Sequence, residues 1–246
     1  MDQEISKIFH FISKKLKLYK SNEDLFGDDL IKNEWLTTYY KRYARFPSIK
    51  LSNDHLTSDF FDLIKNRKSE RDFRDEAVTL SELGTILKYS CGITFEGNNK
   101  MSHRAQPSAG ARFPIEIYPL ILKSSTDLKA GLYHYNVKDH EIVLLREDII
   151  SSLEFKNFFS YEWVSNSGVV LLLTAIFWRT QNKYSERGYR YIFLEAGHIG
   201  QNIYLTSEAM GLKCCALVGT RDNALEKYIE IDGITESMVY ALAIGK

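Results

Sequence analysis

The sequence is sparing with the residues that staple a chain. Cysteine occurs three times in 246 residues, as Cys91, Cys214 and Cys215. The number is odd and two are neighbours, so no disulfide framework is expected, and no Cys/His spacing suits a metal ion. In a strand, Cys214 and Cys215 would point to opposite faces and serve as small buried hydrophobes. Net charge is absent too, because 32 basic residues balance 32 acidic ones. That balance argues against a general nucleic-acid or membrane-surface binder and leaves room for a local anion site. Long apolar runs are missing, and the longest, Val169 to Phe177, is too short to cross a bilayer. The opening MDQEISKIFHF is charged and lacks an apolar signal core, so a cytoplasmic protein is expected. Neither GxGxxG nor a Walker-type phosphate loop occurs. What is present is 44% hydrophobic residues, enough for a packed core in one large domain.

Proline is also scarce, and its placement is informative. Of Pro47, Pro107, Pro114 and Pro119, three fall in residues 107–119. Between Pro107 and Pro114 lies the small-residue run Ser108-Ala109-Gly110-Ala111. Proline fixes φ, and small side chains let backbone approach a flat partner closely. Such a loop, feeding straight into a strand, makes a wall for a planar ligand. An ordinary turn before an edge strand fits the same residues.

Residues 1–55 read as a helical, charged N-terminal extension, with Ile5, Ile8, Phe9, Ile12 and Leu16 at helical spacing. The aromatic stretch that follows, including Trp35, Tyr39, Tyr40 and Tyr43, has little periodicity and is expected to wrap over the main domain, residues 56–246. A short helix is predicted over 57–66. Thr79-Leu80-Ser81-Glu82 fits a capping box opening a helix to about Ser90. Strands are predicted at 115–122, 131–135 and 141–145, and Val169 to Ala175 reads as a central strand, apolar on both faces. A long helix runs from about Glu186 to Met210 and ends at Gly211. Cys214–Val218 and Met238–Ile244 supply two more strands. The sum is an α+β domain, a mainly antiparallel sheet with long helices around it.

A cationic segment stands out against the neutral background. Arg67-Lys68-Ser69-Glu70-Arg71-Asp72-Phe73-Arg74 holds four cations and one hydroxyl. Arginine forks match phosphate geometry. Arg67, Ser69 and Arg71 alternate, so an extended segment presents them on one side. By charge alone, a solvated loop paired with Glu70, Asp72 and Asp75 is the simpler reading. Glu116 and Tyr118 alternate with Ile115 and Ile117, which is ordinary strand patterning. His103 and Arg104 precede the small-residue loop without a distinguishing signal. His198 lies between Gly197 and Gly200, as an interface histidine would. Gln201 and Asn202 fit either backbone satisfaction or a ligand contact.

Taken together, these segments resemble the nitroreductase superfamily. Arg67-Lys-Ser-Glu-Arg-Asp-Phe73 resembles its opening flavin-mononucleotide (FMN) motif. Pro107-Ser-Ala-Gly-Ala-Arg-Phe-Pro-Ile-Glu-Ile-Tyr118 resembles its SagB-type branch, the dehydrogenases of thiazole/oxazole-modified peptide biosynthesis. Gly131-Leu-Tyr-His-Tyr135, Tyr189 to Asn202, Ala209-Met-Gly-Leu212 and Ala243-Ile-Gly245 follow in the same order. Phe9-His10 and Trp35 are more weakly similar to the branch's leader.

The resemblance implies a nitroreductase-like fold, FMN as cofactor, and a homodimer with shared flavin sites. It gives Arg67 the flavin phosphate, assisted by Lys68. Ser69 and Arg71 go to the ribityl and pyrimidine edge, where a cation stabilises the charge of reduction. Pro107, Ser108, Ala109 and Gly110 line the ring face of the partner subunit's flavin. Arg221 is the candidate for a second phosphate cation. Lys183-Tyr184, a plain surface pair by sequence alone, resembles the branch's substrate-side pair. Lys183 is then the base and Tyr184 the hydrogen-bonding partner in oxidising an azoline to an azole, with oxygen restoring the flavin. A peptide substrate and a cyclodehydratase partner are implied. Two rivals stay open: an NAD(P)H-dependent nitroreductase acting on small molecules, and a non-catalytic scaffold subunit of a synthetase complex.

Overall fold

The computed structural model describes residues 39–52, 59–96 and 102–246. The helix expected near Ile5 to Leu16, and Trp35, lie outside them. In chain order the strands are β1 (Ser48–Lys50), β2 (Ile93–Glu96), β3 (Ser102–Arg104), β4 (Ile115–Ile121), β5 (Gly131–Asn136), β6 (Glu141–Glu147), β7 (Val169–Ile176), β8 (Lys213–Leu217) and β9 (Glu236–Gly245). The α-helices are α1 (Phe60–Asn66), α2 (Leu80–Cys91), α3 (Ser152–Phe158), α4 (Trp178–Tyr184), α5 (Gly188–Ala209) and α6 (Asp222–Ile229).

Seven strands form one sheet in the order β1-β6-β5-β4-β7-β9-β8, and every pairing in it is antiparallel. β7 sits at its heart, as its unbroken apolar run requires. It pairs with β4 from Ile115↔Ala175 to Ile121↔Val169 and with β9 from Val169↔Ile244 to Ile176↔Glu236. Because strand side chains alternate, β7 feeds two cores. Val169, Leu171 and Leu173 face the first, with Ile86 and Leu87 of α2 and Ile192, Ile199 and Ile203 of α5. Val170 and Leu172 face the second, with Phe155 and Phe158 of α3 and Leu225 and Ile229 of α6.

Local chemistry sets the helix ends. Thr79 and Glu82 form the reciprocal capping box of α2. α5 stops where Gly211 turns to φ 68, a conformation glycine adopts without Cβ strain.

The described part of the expected helical extension departs from expectation. Residues 39–52 hold no helix, and β1 instead pairs with the β6 edge. Three residues are too few to show periodicity. This segment is tied down side chain by side chain. Tyr39 meets Trp178 edge-on at 5.7 Å, and Tyr40 Oη lies 2.8 Å from Ser102 Oγ. Lys41 Nζ donates to Tyr118 Oη at 2.5 Å and pairs with Glu236, which also accepts from Tyr118 and Thr174.

Candidate active site

The loop between β3 and β4 is held in a strained shape. Gly110, Ala111 and Phe113 have φ of 61°, 54° and 46°. For residues with a Cβ such angles cost about 1–3 kcal/mol each, so the surroundings must impose them. Ser108 does much of this. Its carbonyl accepts from Ala111 N at 3.1 Å, and its Oγ accepts from Phe113 N at 2.9 Å. Arg179 Nη1 donates to Phe113 O at 3.0 Å, and Arg112 Nε to Arg179 O at 3.0 Å.

The structure brings this loop to the Lys183-Tyr184 pair. A Cβ built on Gly110 would stand 2.6 Å from Tyr184 Oη and 3.2 Å from Lys183 Nζ. Glycine is required there on two counts, positive φ and close approach. Lys183 and Tyr184 end α4, and Ser185 immediately after them is also strained, at φ 49° and ψ −144°. Of the six non-glycine residues with positive φ among the described residues, Ala111, Phe113 and Ser185 flank this spot. Burial, then the Arg112 guanidinium, lowers the Lys183 ammonium below its ordinary range. Burial, then Tyr191, raises the Tyr184 phenol. The pair thus holds a lysine that loses its proton more readily than usual and a tyrosine that keeps its proton more firmly.

Buried charges brace both elements. Burial alone would raise the Glu116 carboxyl, but Arg179 and His134 outweigh it and hold Glu116 at about 2. Arg179 Nη1 reaches Glu116 Oε1 at 2.6 Å and His134 Nε2 lies 2.8 Å from Oε2. Glu116 and Tyr118, read from sequence as ordinary strand residues, are thus both buried in polar networks. Glu195 of α5 is buried and accepts from Ser108 Oγ at 2.5 Å and Gln106 Nε2 at 3.2 Å. Burial pushes its carboxyl up to about 7. Sequence reading passed over Glu195. The signal was there, because Ile192, Glu195, Ala196 and Ile199 form one helical stripe, and a carboxylate on a core stripe needs partners. Arg104 Nε, Gln106 Oε1 and Thr180 Oγ1 are buried here without a hydrogen-bond partner.

The arginine segment lies at the other edge of α5. The Arg67 guanidinium stands 5.1 Å from the Tyr204 ring, and Ser69 Oγ lies 2.9 Å from Tyr204 Oη. Arg71 covers Trp163 at 5.8 Å. Lys68 is exposed and pairs with Glu70 at 3.2 Å. Glu70 N donates to Cys214 O and Arg74 N to Lys246 O, so the segment runs along the β8 edge of the sheet. Cys214 and Cys215 are both buried, Cys214 in the first core. Asn202 donates to Ser90 O at 3.1 Å and so satisfies backbone.

Arg221 is not part of this cluster. It is exposed at the start of α6, its backbone N donates to Phe158 O, and it lines a separate cavity of about 620 Å³ with Phe155, Phe159 and Lys156. The turn after β8 carries it to the second core's side of the sheet. Lys213 is the cation beside the arginine segment, while Lys246 accepts from Arg74 N through its backbone and pairs its ammonium with Glu82 at 3.5 Å. Lys213 donates to Asp72 O and pairs in register with Gly245. Neither drew notice in the sequence, since each is a single lysine at a strand end.

Glu195 and Tyr204 are nine residues apart, which is about 13 Å along the axis and about half a turn around it. Within one chain, loop and arginine segment therefore flank opposite sides of α5. Among the described residues no group of His, Cys, Asp and Glu could hold a metal ion, and no helix is long and apolar enough to cross a membrane.

The antiparallel sheet, with helices on both faces, thus carries a glycine loop set on a Lys-Tyr pair. The Nitroreductase family profile matches residues 64–246, and the chain belongs to the nitroreductase family. It is 30% identical over 170 residues to a nitroreductase-type protein of Methanocaldococcus jannaschii, covering 69% of this chain and 83% of that one. It is 30% identical over 177 residues to the trifolitoxin-processing protein TfxB of Rhizobium leguminosarum bv. trifolii, covering 69% of this chain. There it spans about half of the relative, 48% of its length. In fold it resembles a chain of the Escherichia coli microcin synthetase McbBCD complex with truncated pro-MccB17 bound, at TM-score 0.63 and 19% identity, over 99% of this chain and 92% of that one. A nitroreductase of Exiguobacterium sibiricum in complex with FMN aligns at TM-score 0.54 and 13% identity, over 78% of this chain and 90% of that one.

Proposed function

We propose that this protein is an FMN-dependent oxidoreductase that oxidises azoline rings to azoles in a ribosomally made peptide. The observation that carries the reading is the seating of Gly110 against Lys183 and Tyr184. Membership of the nitroreductase family supports the cofactor, and likeness to a trifolitoxin-processing protein supports a peptide substrate and a synthetase complex with a cyclodehydratase.

The residues suit FMN in chemistry. Arg67 offers a cation for a phosphate, with Lys213 close by on Asp72. Lys68 adds charge from the exposed side. Ser69 and Arg71 follow on toward the ring edge. Pro107, Ser108, Ala109 and Gly110 offer a small-residue wall. Because wall and cations flank opposite sides of α5, a flavin held by one chain's arginines takes its wall from a second copy. The functional unit in this reading is a homodimer.

When bound, FMN supplies a two-electron acceptor for the hydride leaving the azoline ring. The chain's own part is to move the proton and fix the ring. Lys183, whose neutral form burial and Arg112 favour, takes the proton from the adjacent ring carbon. Tyr184, kept protonated by burial, donates a hydrogen bond to the ring heteroatom or carbonyl where charge develops.

Purified protein mixed with FMN should retain absorption near ~450 nm, the band of oxidised flavin. Lys183→Ala and Tyr184→Ala should keep that band and lose azole formation on an azoline-bearing peptide. Absence of the band sinks the cofactor assignment. Rapid bleaching by NADPH with no azole formed would favour a small-molecule nitroreductase. Full azole formation by both variants would make the pair a bystander.

A further inference from the structure

A buried carboxylate in the first core has no place in the chemistry above. Glu195 is 3% exposed, on the α5 stripe that otherwise packs Ile192, Ala196 and Ile199. An aliphatic residue would fill that position at less desolvation cost. Both of its oxygens are used, and both by the β3–β4 loop: Oε1 by Gln106 Nε2 and Oε2 by Ser108 Oγ. Arg104 and Arg179, also buried, face it from β3 and α4 and offset its charge.

The contact with Ser108 has a consequence further along the loop. By donating its proton to Glu195, Ser108 Oγ turns a lone pair to Phe113 N, which it accepts at 2.9 Å. That bond spans the three residues in positive φ and holds their turn closed. Remove the carboxylate, and the hydroxyl is free to rotate while the strain at Ala111 and Phe113 stays.

We propose that Glu195 is the positioning residue of the site: its two oxygens grip Gln106 and Ser108 and so hold the loop in the strained shape that sets Gly110 against Lys183 and Tyr184. The inference rests on those two residues being the reacting pair, but its test uses neither substrate nor cofactor, so its failure is distinct from failure of that reading.

The test is hydrogen–deuterium exchange on the full chain, read by mass spectrometry, with Lys183 acetylation by acetic anhydride as a second readout. In Glu195→Leu, exchange across residues 108–113 should quicken at least about tenfold, as loss of two buried hydrogen bonds predicts. Exchange in β7 should not change. Glu195→Gln should stay within about threefold of the parent, because an amide still offers Ser108 an oxygen and Gln106, flipped, can accept from it. Lys183 acetylation should change in the leucine variant and not in the glutamine variant. Unchanged loop exchange and labelling in Glu195→Leu overturn the proposal, as does equal disturbance of the loop and β7 in both variants. If the leucine variant does not fold, Glu195→Asp carries the test. Its charge is the same but its reach is one methylene short, so loop exchange must still rise at least about threefold, and no rise overturns the proposal.

Discussion

The two edges of α5 treat charge in opposite ways. At the loop edge every charge that matters is buried and answered: Glu116 by Arg179 and His134, Glu195 by Ser108 and Gln106. At the arginine edge the cations lean on aromatic faces or on exposed pairs, Arg67 on Tyr204, Arg71 on Trp163, Lys68 on Glu70. Buried, answered charges fix geometry and have nothing left to offer a ligand. Half-exposed cations against a ring contribute little to the fold and remain available to an anion. One helix thus carries a rigid edge suited to positioning and an open edge suited to capture.

The sharpest way to break that contrast is to remove the proposed base. Lys183→Ala should lower azoline turnover about a hundredfold to ten-thousandfold in single-turnover assays. In the parent, turnover should rise with pH through the lowered lysine pKa, since only the neutral amine takes a proton. On the rigid edge, Arg179→Met leaves Glu116 buried with one partner fewer and should cost about 3–5 kcal/mol in urea unfolding. Arg71→Ala, on the open edge, should stay within about 0.5 kcal/mol in the same measurement.

Glu195 gives a pH test of the rigid edge. Its carboxyl lies above its ordinary value of 4.5, at about 7, so the folded state holds its proton where the unfolded state has lost it. Its contribution is fully present below about 4.5 and is lost as pH rises to about 7. Glu195→Gln should abolish that slope, gaining up to about 3 kcal/mol on the parent across the window. Next in size, Arg67→Ala should weaken FMN binding about tenfold to a hundredfold with little change in stability.

Much of this was legible in the sequence where one local rule governs. The Thr79–Glu82 box, the Gly211 stop and the β7 apolar run each state their structure within a few residues. What joined distant segments was not legible. Gly110 and Tyr184 meet only because β4 and α4 pack at one end of the sheet, and no spacing rule links them. The turn after β8 that sets Arg221 at the start of α6 follows no spacing rule either. Glu195 was missed because its helix reads as apolar on several faces, which hides one charged position on the core stripe. β1 is too short to announce itself.

The docking of Lys41 bears on where this protein can be cut. The family match opens at residue 64, yet Lys41 sits well before it and supplies an ammonium to Glu236, deep between β7 and β9. A chain trimmed to the matched residues would keep that carboxylate and strip away its counter-ion, the β1 edge strand and the aromatic brace on α4. The span of the family match is therefore smaller than the packed unit, which also takes in residues 39–52.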